Sequence, residues 1–321
     1  RLESAAPPGG VLISEHTLRQ VRGAFEVIPQ QAVLAKGFPE PVPAFLVKRA
    51  RPRTFRTVSR GVQGVETRMV GREAELQQLQ SALDGVLQTS RTHLLTIAGD
   101  AGIGKSRLLY EFDQWRAAQP DPALAFKARA SQQMAGIPFG LMRELLAYRF
   151  GILHSDPATV ARLKLEAGLV RFFAKEPEMK AHFVGTLLGY DFADSPHLLG
   201  VRDDARQMRE QALYYLTQFF TAVTREAPAV IMLDDIHWAD RPSLEAITHI
   251  VGQCPALRLL VVCLARPRLF ETCPDWGQEQ ATGETQSTQM HLGPLARQAS
   301  YELVGEILRQ VEALPEACLL Y

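Results

Sequence analysis

Neither sign of charge prevails in this chain: 35 Lys and Arg stand against 35 Asp and Glu, and the formal net charge is zero. No global field therefore draws it to nucleic acid or to an anionic membrane. Cysteine is scarce. The four present (Cys254, Cys263, Cys273 and Cys318) form no CxxC pair and no metal-ligand spacing, which favours free thiols in a reducing cytosol over a disulfide framework. The eight histidines include no HExxH pattern, so a zinc site is not expected. No apolar run reaches membrane-spanning length, and the best, Leu257 to Ala265, is about half of what a bilayer demands. No secretory leader is legible, and a cytoplasmic location is expected. The chain opens on Arg1 rather than Met, so a fragment of a longer parent is expected. Its 321 residues leave room for one large domain or two smaller ones.

What is present is more telling. Gly99-Asp100-Ala101-Gly102-Ile103-Gly104-Lys105-Ser106 spells G-x-x-x-x-G-K-[ST], a pattern that ordinary residue usage would produce in such a chain about once in a hundred. His93 to Ala98 before it reads as a buried strand, and Lys105 to Arg116 after it as an amphipathic helix. That setting aims the loop N–H groups at a phosphate from a helix N-terminus. Glycine lets the backbone approach the phosphates, Lys105 supplies charge to the β- and γ-phosphates, and Ser106 is placed to ligate Mg²⁺. Arg107, which follows directly, is grouped with the loop as a nucleotide-contacting residue. A nucleoside triphosphate is the expected ligand.

A second element is Val230-Ile231-Met232-Leu233-Asp234-Asp235. Four apolar residues ending in two carboxylates describe a buried strand that delivers acid to a metal at its carboxyl end. Asp234 is the expected metal-side residue, and Asp235 the candidate base that polarises the attacking water. An Asp reaches less far than a Glu, so slow turnover is expected. Arg266 closes a third apolar run, Leu259 to Ala265. It is either a fixed charge sensing the γ-phosphate or an ordinary strand-end arginine. His237 either contacts the site or packs the loop, and Trp238 reads as core.

Three zones separate along the chain: residues 1–50, a linker at 51–66 and a main domain at 67–321. The first holds short strands at Val11–Ser14, Phe25–Ile28 and Ala44–Val47, with a helix around Glu15–Val21 that Ser14 caps, too little to close a core alone. Lys48, Arg49, Arg51, Arg53, Arg56 and Arg60 lack aromatic interleaving or a helical face and read as a solvated linker. In the main domain, Leu76, Leu79, Leu83 and Val86 mark a helix face, and Leu108, Leu109, Phe112 and Trp115 another. A strand is expected at Ala123–Ala128, then a long helical region from about Phe139 to Phe220, interrupted near Gly189 to Pro196. Strands return at Ala229–Leu233 and Leu257–Leu264 around a helix at Ser243–Val251. Alternating strands and helices with unbroken apolar strands predict an α/β parallel sheet with helices on both faces.

Val70-Gly71-Arg72-Glu73, the phosphate loop, Leu233 to Asp240 and Leu264-Ala265-Arg266-Pro267 together resemble the signal-transduction ATPases called STAND, relatives of the AAA+ and origin-recognition-like ATPases. The resemblance implies that Gly71 and Arg72 lie near the adenine. It also implies a switch that opens or oligomerises on exchanging ADP for ATP. His291 to Leu295 looks like the start of a segment leading to a helical lid, with sensor repeats beyond it. The first zone, through Arg1 to Ser14, Leu34 to Phe38 and Pro41-Val42, resembles the C-terminal tail of a class III adenylate/guanylate cyclase domain. There Arg1 matches the transition-state arginine and Lys36-Gly37 a near-terminal turn. The metal-binding aspartates of that family are absent, so cyclic-nucleotide synthesis is not expected of this chain; a generic β-rich adaptor is the alternative.

The expectation is thus an ATP-binding regulatory module of a cyclase–ATPase fusion, with slow Mg²⁺-dependent hydrolysis. Its partners would be ATP, the upstream cyclase and downstream repeats, not membrane or nucleic acid. One alternative makes the parent a cyclase regulated by this module. Another makes it a nucleotide-locked scaffold or a transcription regulator's switch.

Overall fold

The computed structural model describes residues 5–20, 25–33, 41–50, 68–201, 203–278 and 285–308. It divides into two compact units, Arg1–Arg56 and Thr57–Tyr321. The first unit carries β1 (Val11–Ser14), α1 (Glu15–Gln20), β2 (Phe25–Val33) and β3 (Val42–Ala50). They form an antiparallel sheet in the order β1-β3-β2. Ser14 caps α1 as expected: its Oγ accepts from the Thr17 N–H at 3.3 Å. β2 runs past its expected end through Pro29, which an edge strand tolerates because the missing N–H need not feed a ladder. Ala44 is the one buried hydrophobic among this unit's described residues. Arg1, Lys36-Gly37 and the 51–66 linker lie outside the described residues.

The second unit opens with α2 (Glu73–Thr89), β4 (His93–Ala98), α3 (Lys105–Ala117) and β5 (Leu124–Arg129). Four helices follow: α4 (Gly140–Arg149), α5 (Ala158–Val170), α6 (Pro177–Leu187) and α7 (Ala205–Glu226). Then come β6 (Ala229–Asp234), α8 (Arg241–Gln253), β7 (Leu259–Ala265), α9 (Arg268–Thr272), β8 (Gln286–His291) and α10 (Arg297–Leu308). The five strands form one parallel sheet in the order β5-β6-β7-β4-β8.

Every residue of β4, β6 and β7 is buried, as strands covered on both faces must be. Ile231, Leu233, Val261 and Cys263 join the core beneath α4 to α8. The alternate residues Val230, Met232, Leu260 and Val262, equally buried, point to the opposite face, which α2 and α3 cover. On α2 the buried residues are Leu79, Ala82, Leu83 and Val86. Phe219 of α7 anchors the helical layer, with the rings of Phe126, Phe150, Phe172, Phe173 and Phe220 between 5.1 and 6.5 Å away. Edge-to-face pairs of this kind add about 0.5–1.5 kcal/mol each beyond area burial.

Two expectations need correction. The long helical region breaks not only at Gly189–Pro196 but also before Pro157 and Pro177. These prolines stand at the openings of α5 and α6, where a fixed φ and a missing N–H are harmless. The strand expected at Leu257–Leu264 begins two residues later, at Leu259. The order of the sheet matters most for function. The connection from β4 leads toward β5 on one side, while β8 returns to the other side of β4. Such a reversal opens a crevice at the carboxyl ends of the strands.

Candidate functional site

Four strand ends deliver charge or glycine to that crevice: Gly99 after β4, Arg129 ending β5, Asp234 ending β6 and Arg266 after β7. The loop is stitched to β7 where the Gly99 N–H donates to the Ala265 carbonyl at 3.2 Å. Gly104, the residue preceding α3, has φ +102, a conformation that glycine adopts without strain. Lys105 is 7% exposed and its ammonium donates to the carbonyls of Gly99 at 2.7 Å and Asp100 at 2.8 Å. Burial lowers its pKa from the ordinary lysine value. Asp235, Asp234 and Asp100 act in the opposite sense, and Arg266 adds to the lowering.

The two residues expected to share a metal are brought together. Ser106 Oγ donates to Asp234 at 3.1 Å from Oδ2 and 3.3 Å from Oδ1. Asp234 is 1% exposed. Burial, reinforced by the neighbouring Asp235, holds its carboxyl above the usual carboxylate range, against the pull of Arg129 and the Ser106 hydrogen bond. Asp235 turns the chain out of β6 with φ 57, in the left-handed region. Its Oδ2 is gripped by Arg129, with Nη2 at 2.7 Å and Nε at 3.1 Å. The same guanidinium stands 3.7 Å from Asp234.

Arg266 is exposed at its strand end, yet close enough to bias both Lys105 and His237 electrostatically. Arg72 is held against the loop, whereas Gly71 faces Leu295 and Ala299. Arg72 is buried; it donates to Ile103 O at 3.2 Å, to Gly293 O and to Glu75 at 2.9 Å. It thereby joins the start of α2, the phosphate loop and the segment after β8. Gly71 has φ +69, and a Cβ there would fall 2.5 Å from that of Ala299. Arg107 engages Glu111 one turn along α3 at 2.6 Å. Trp238 is partly buried against the main core, as expected.

Two residues received no individual role from the sequence. Arg129 was detectable as a charge ending an apolar strand, the same signal that marked Asp234 and Arg266. Asp240 was detectable as an N-cap before Arg241-Pro242-Ser243. It is 2% exposed and accepts from the N–H groups of Phe139 at 2.7 Å, Leu141 at 3.2 Å and Ser243 at 2.8 Å, and from Ser243 Oγ at 2.7 Å. One carboxylate thus fixes the entry to α4 against the start of α8.

The chain is similar to the uncharacterized protein R02095 of Rhizobium meliloti (strain 1021), 26% identical over 267 residues, which cover 83% of this chain and 25% of that protein. The chain thus spans about a quarter of the length of that curated relative. Among solved structures it is similar to the Walker-type ATPase PABY2304 of Pyrococcus abyssi, at 14% identity and a TM-score of 0.43 over 78% of this chain and 61% of that one. Cdc6p of Pyrobaculum aerophilum matches at 13% identity and a TM-score of 0.43, over 76% and 51%. The family described as AAA ATPase domain matches residues 68–262. With more than half its length so matched, its five-stranded parallel sheet and its phosphate loop, the chain belongs to the AAA ATPase domain family.

Proposed function

We propose that residues 67–321 form a nucleotide-dependent switch of the STAND type, binding ATP with Mg²⁺ and hydrolysing it slowly. The observation that carries this reading is the 3.1 Å approach of Ser106 Oγ to Asp234 Oδ2. A hydroxyl and a carboxylate from elements 128 residues apart meet beside the loop lysine. Both are hard oxygen donors, the kind Mg²⁺ prefers. Among the described residues no group of three or more His, Cys, Asp or Glu is placed to hold a metal. Mg²⁺ takes few protein ligands and keeps water and phosphate oxygens for the rest.

When bound, the ion would neutralise phosphate charge. The remaining chemistry belongs to side chains of the site. Loop N–H groups and Lys105 hold the β- and γ-phosphates, and Arg266 supplies positive charge from the end of β7. Asp235 accepts the proton of the water that attacks the γ-phosphorus, and ADP departs as the bond to its β-phosphate oxygen breaks. Arg129 keeps the Asp235 carboxylate occupied, which fits slow turnover. Residues 1–50 we read as the tail of a class III cyclase domain, on the motifs through Arg1–Ser14 and Leu34–Phe38. In that reading the module regulates an upstream cyclase, joined by the basic linker 51–66 and followed by a lid and repeats, and it oligomerises with nucleotide state.

Calorimetric titration of the full chain with Mg·ATP tests the core of this reading. Wild type is expected to bind. Lys105→Ala should bind about tenfold more weakly or worse, because a charge-assisted contact is lost, with an unchanged circular-dichroism spectrum. A folded wild-type sample that takes up no nucleotide overturns it.

A further inference from the structure

His237 is the one imidazole among the described residues whose two ring nitrogens are both buried and both without a hydrogen-bond partner. A native interior rarely keeps such atoms unpaired unless they await a partner. The ring lies three residues beyond Asp234, after the left-handed turn at Asp235, in the short turn Ile236–Trp238 that packs against β7 and α9. The Trp238 ring lies 5.2 Å from it, and the Arg268 guanidinium lies over the Trp238 ring, 5.8 Å from its centroid.

The charged groups that act on His237 are Asp235 from its own turn, Arg266 and Arg268 from the end of β7 and the start of α9, and Lys105 from α3. Three of these four belong to the phosphate end of the site. The ring therefore sits among groups that would surround a terminal phosphate, and it has an unused donor.

Resting on the nucleotide reading above, we propose that His237 recognises the terminal phosphate: its ring N–H donates to a γ-phosphate oxygen, so that the site favours ATP over ADP. A diphosphate has no oxygen at that position and leaves the imidazole unpaired. A triphosphate satisfies it and removes the penalty of a buried, unpartnered donor. Because the turn carrying His237 also carries Asp235, occupancy of the ring is coupled through the backbone to the acid beside it. Burial lowers the His237 pKa, which leaves the neutral ring with one N–H to give.

The test is calorimetric titration of the full chain with Mg²⁺ and either ADP or the non-hydrolysable imido analogue of ATP, for wild type, His237→Leu and His237→Gln. His237→Leu is expected to weaken the triphosphate analogue about tenfold while ADP affinity stays within about twofold, a difference of the size one charge-assisted hydrogen bond supplies. His237→Gln, which retains an amide donor, should recover part of the loss. Retained ADP binding in each variant reports an intact fold. Equal weakening of both nucleotides overturns the proposal, as does an unchanged ratio with a fall in turnover alone. Wild type binding neither nucleotide overturns the nucleotide reading itself, a result distinct from an unchanged ratio.

Discussion

The guanidinium of Arg129 grips Asp235 Oδ2 through two nitrogens, at 2.7 and 3.1 Å, from the end of the neighbouring strand. The oxygen so engaged points its lone pairs at a guanidinium rather than at water. Arg129→Ala should therefore raise basal hydrolysis severalfold at saturating Mg·ATP. Steady-state phosphate release measures it. A fall in turnover would mean that Arg129 assists the reaction rather than restraining Asp235.

Asp234 offers a prediction in the opposite sense for stability and activity. Its folded pKa is raised, by burial first and by Asp235 second. Such a group contributes stability that is present below the unfolded carboxylate range and is lost as pH rises through the raised folded value. Asp234→Asn carries no charge at any pH. In metal-free buffer its unfolding temperature should exceed that of wild type at pH 7.5, and the gap should close as the pH is lowered. Hydrolysis by the same variant should fall about a hundredfold or more, the scale on which removal of one transition-state contact is felt. Thermal melts across pH, paired with turnover, check both halves.

Asp240 is structural by the same logic of counting partners. Asp240→Ala leaves the buried N–H groups of Phe139, Leu141 and Ser243 without acceptors, a cost of roughly 1–3 kcal/mol for each donor left unpaired. Asp240→Asn retains one acceptor oxygen and should cost less. Urea unfolding curves measure the two. Equal stability of all three proteins would remove Asp240 from its bracing role.

At Gly71 the obstacle is steric as well as conformational. Gly71→Ala places a Cβ 2.5 Å from Ala299 Cβ at φ +69, so the start of α10 must shift. A loss of about 1–3 kcal/mol is expected. The double variant with Ala299→Gly should regain only the steric part, because the backbone strain stays. Unfolding midpoints of the single and double variants separate these contributions.

The interior of this fold was legible because strands buried on both faces leave uninterrupted apolar runs, as β4, β6 and β7 do. β8 was not: Gln286-Ser287-Thr288-Gln289-Met290-His291 buries only Met290, and a polar strand at a sheet edge carries no run to detect. α9 is a single short turn with one buried residue, Leu269. α10 buries none of its described residues, so neither helix had a face to reveal it. In the site, Lys105, Ser106 and Asp234 announce themselves because phosphate and metal chemistry demands those types in that order. Arg129 did not, because its partner is set by the parallel register of β5 on β6, which aligns Arg129 with Asp234. Register across an insertion as long as α4 to α7 is a property of packing rather than of neighbouring residues.

The left-handed turn at Asp235 also bears on why the acid there is short. Aspartate visits that region of backbone space more readily than glutamate, whose longer side chain gains nothing from it. A longer acid at this corner would gain reach while giving up that local preference. In this AAA ATPase domain the short side chain suits the shape of the corner it occupies.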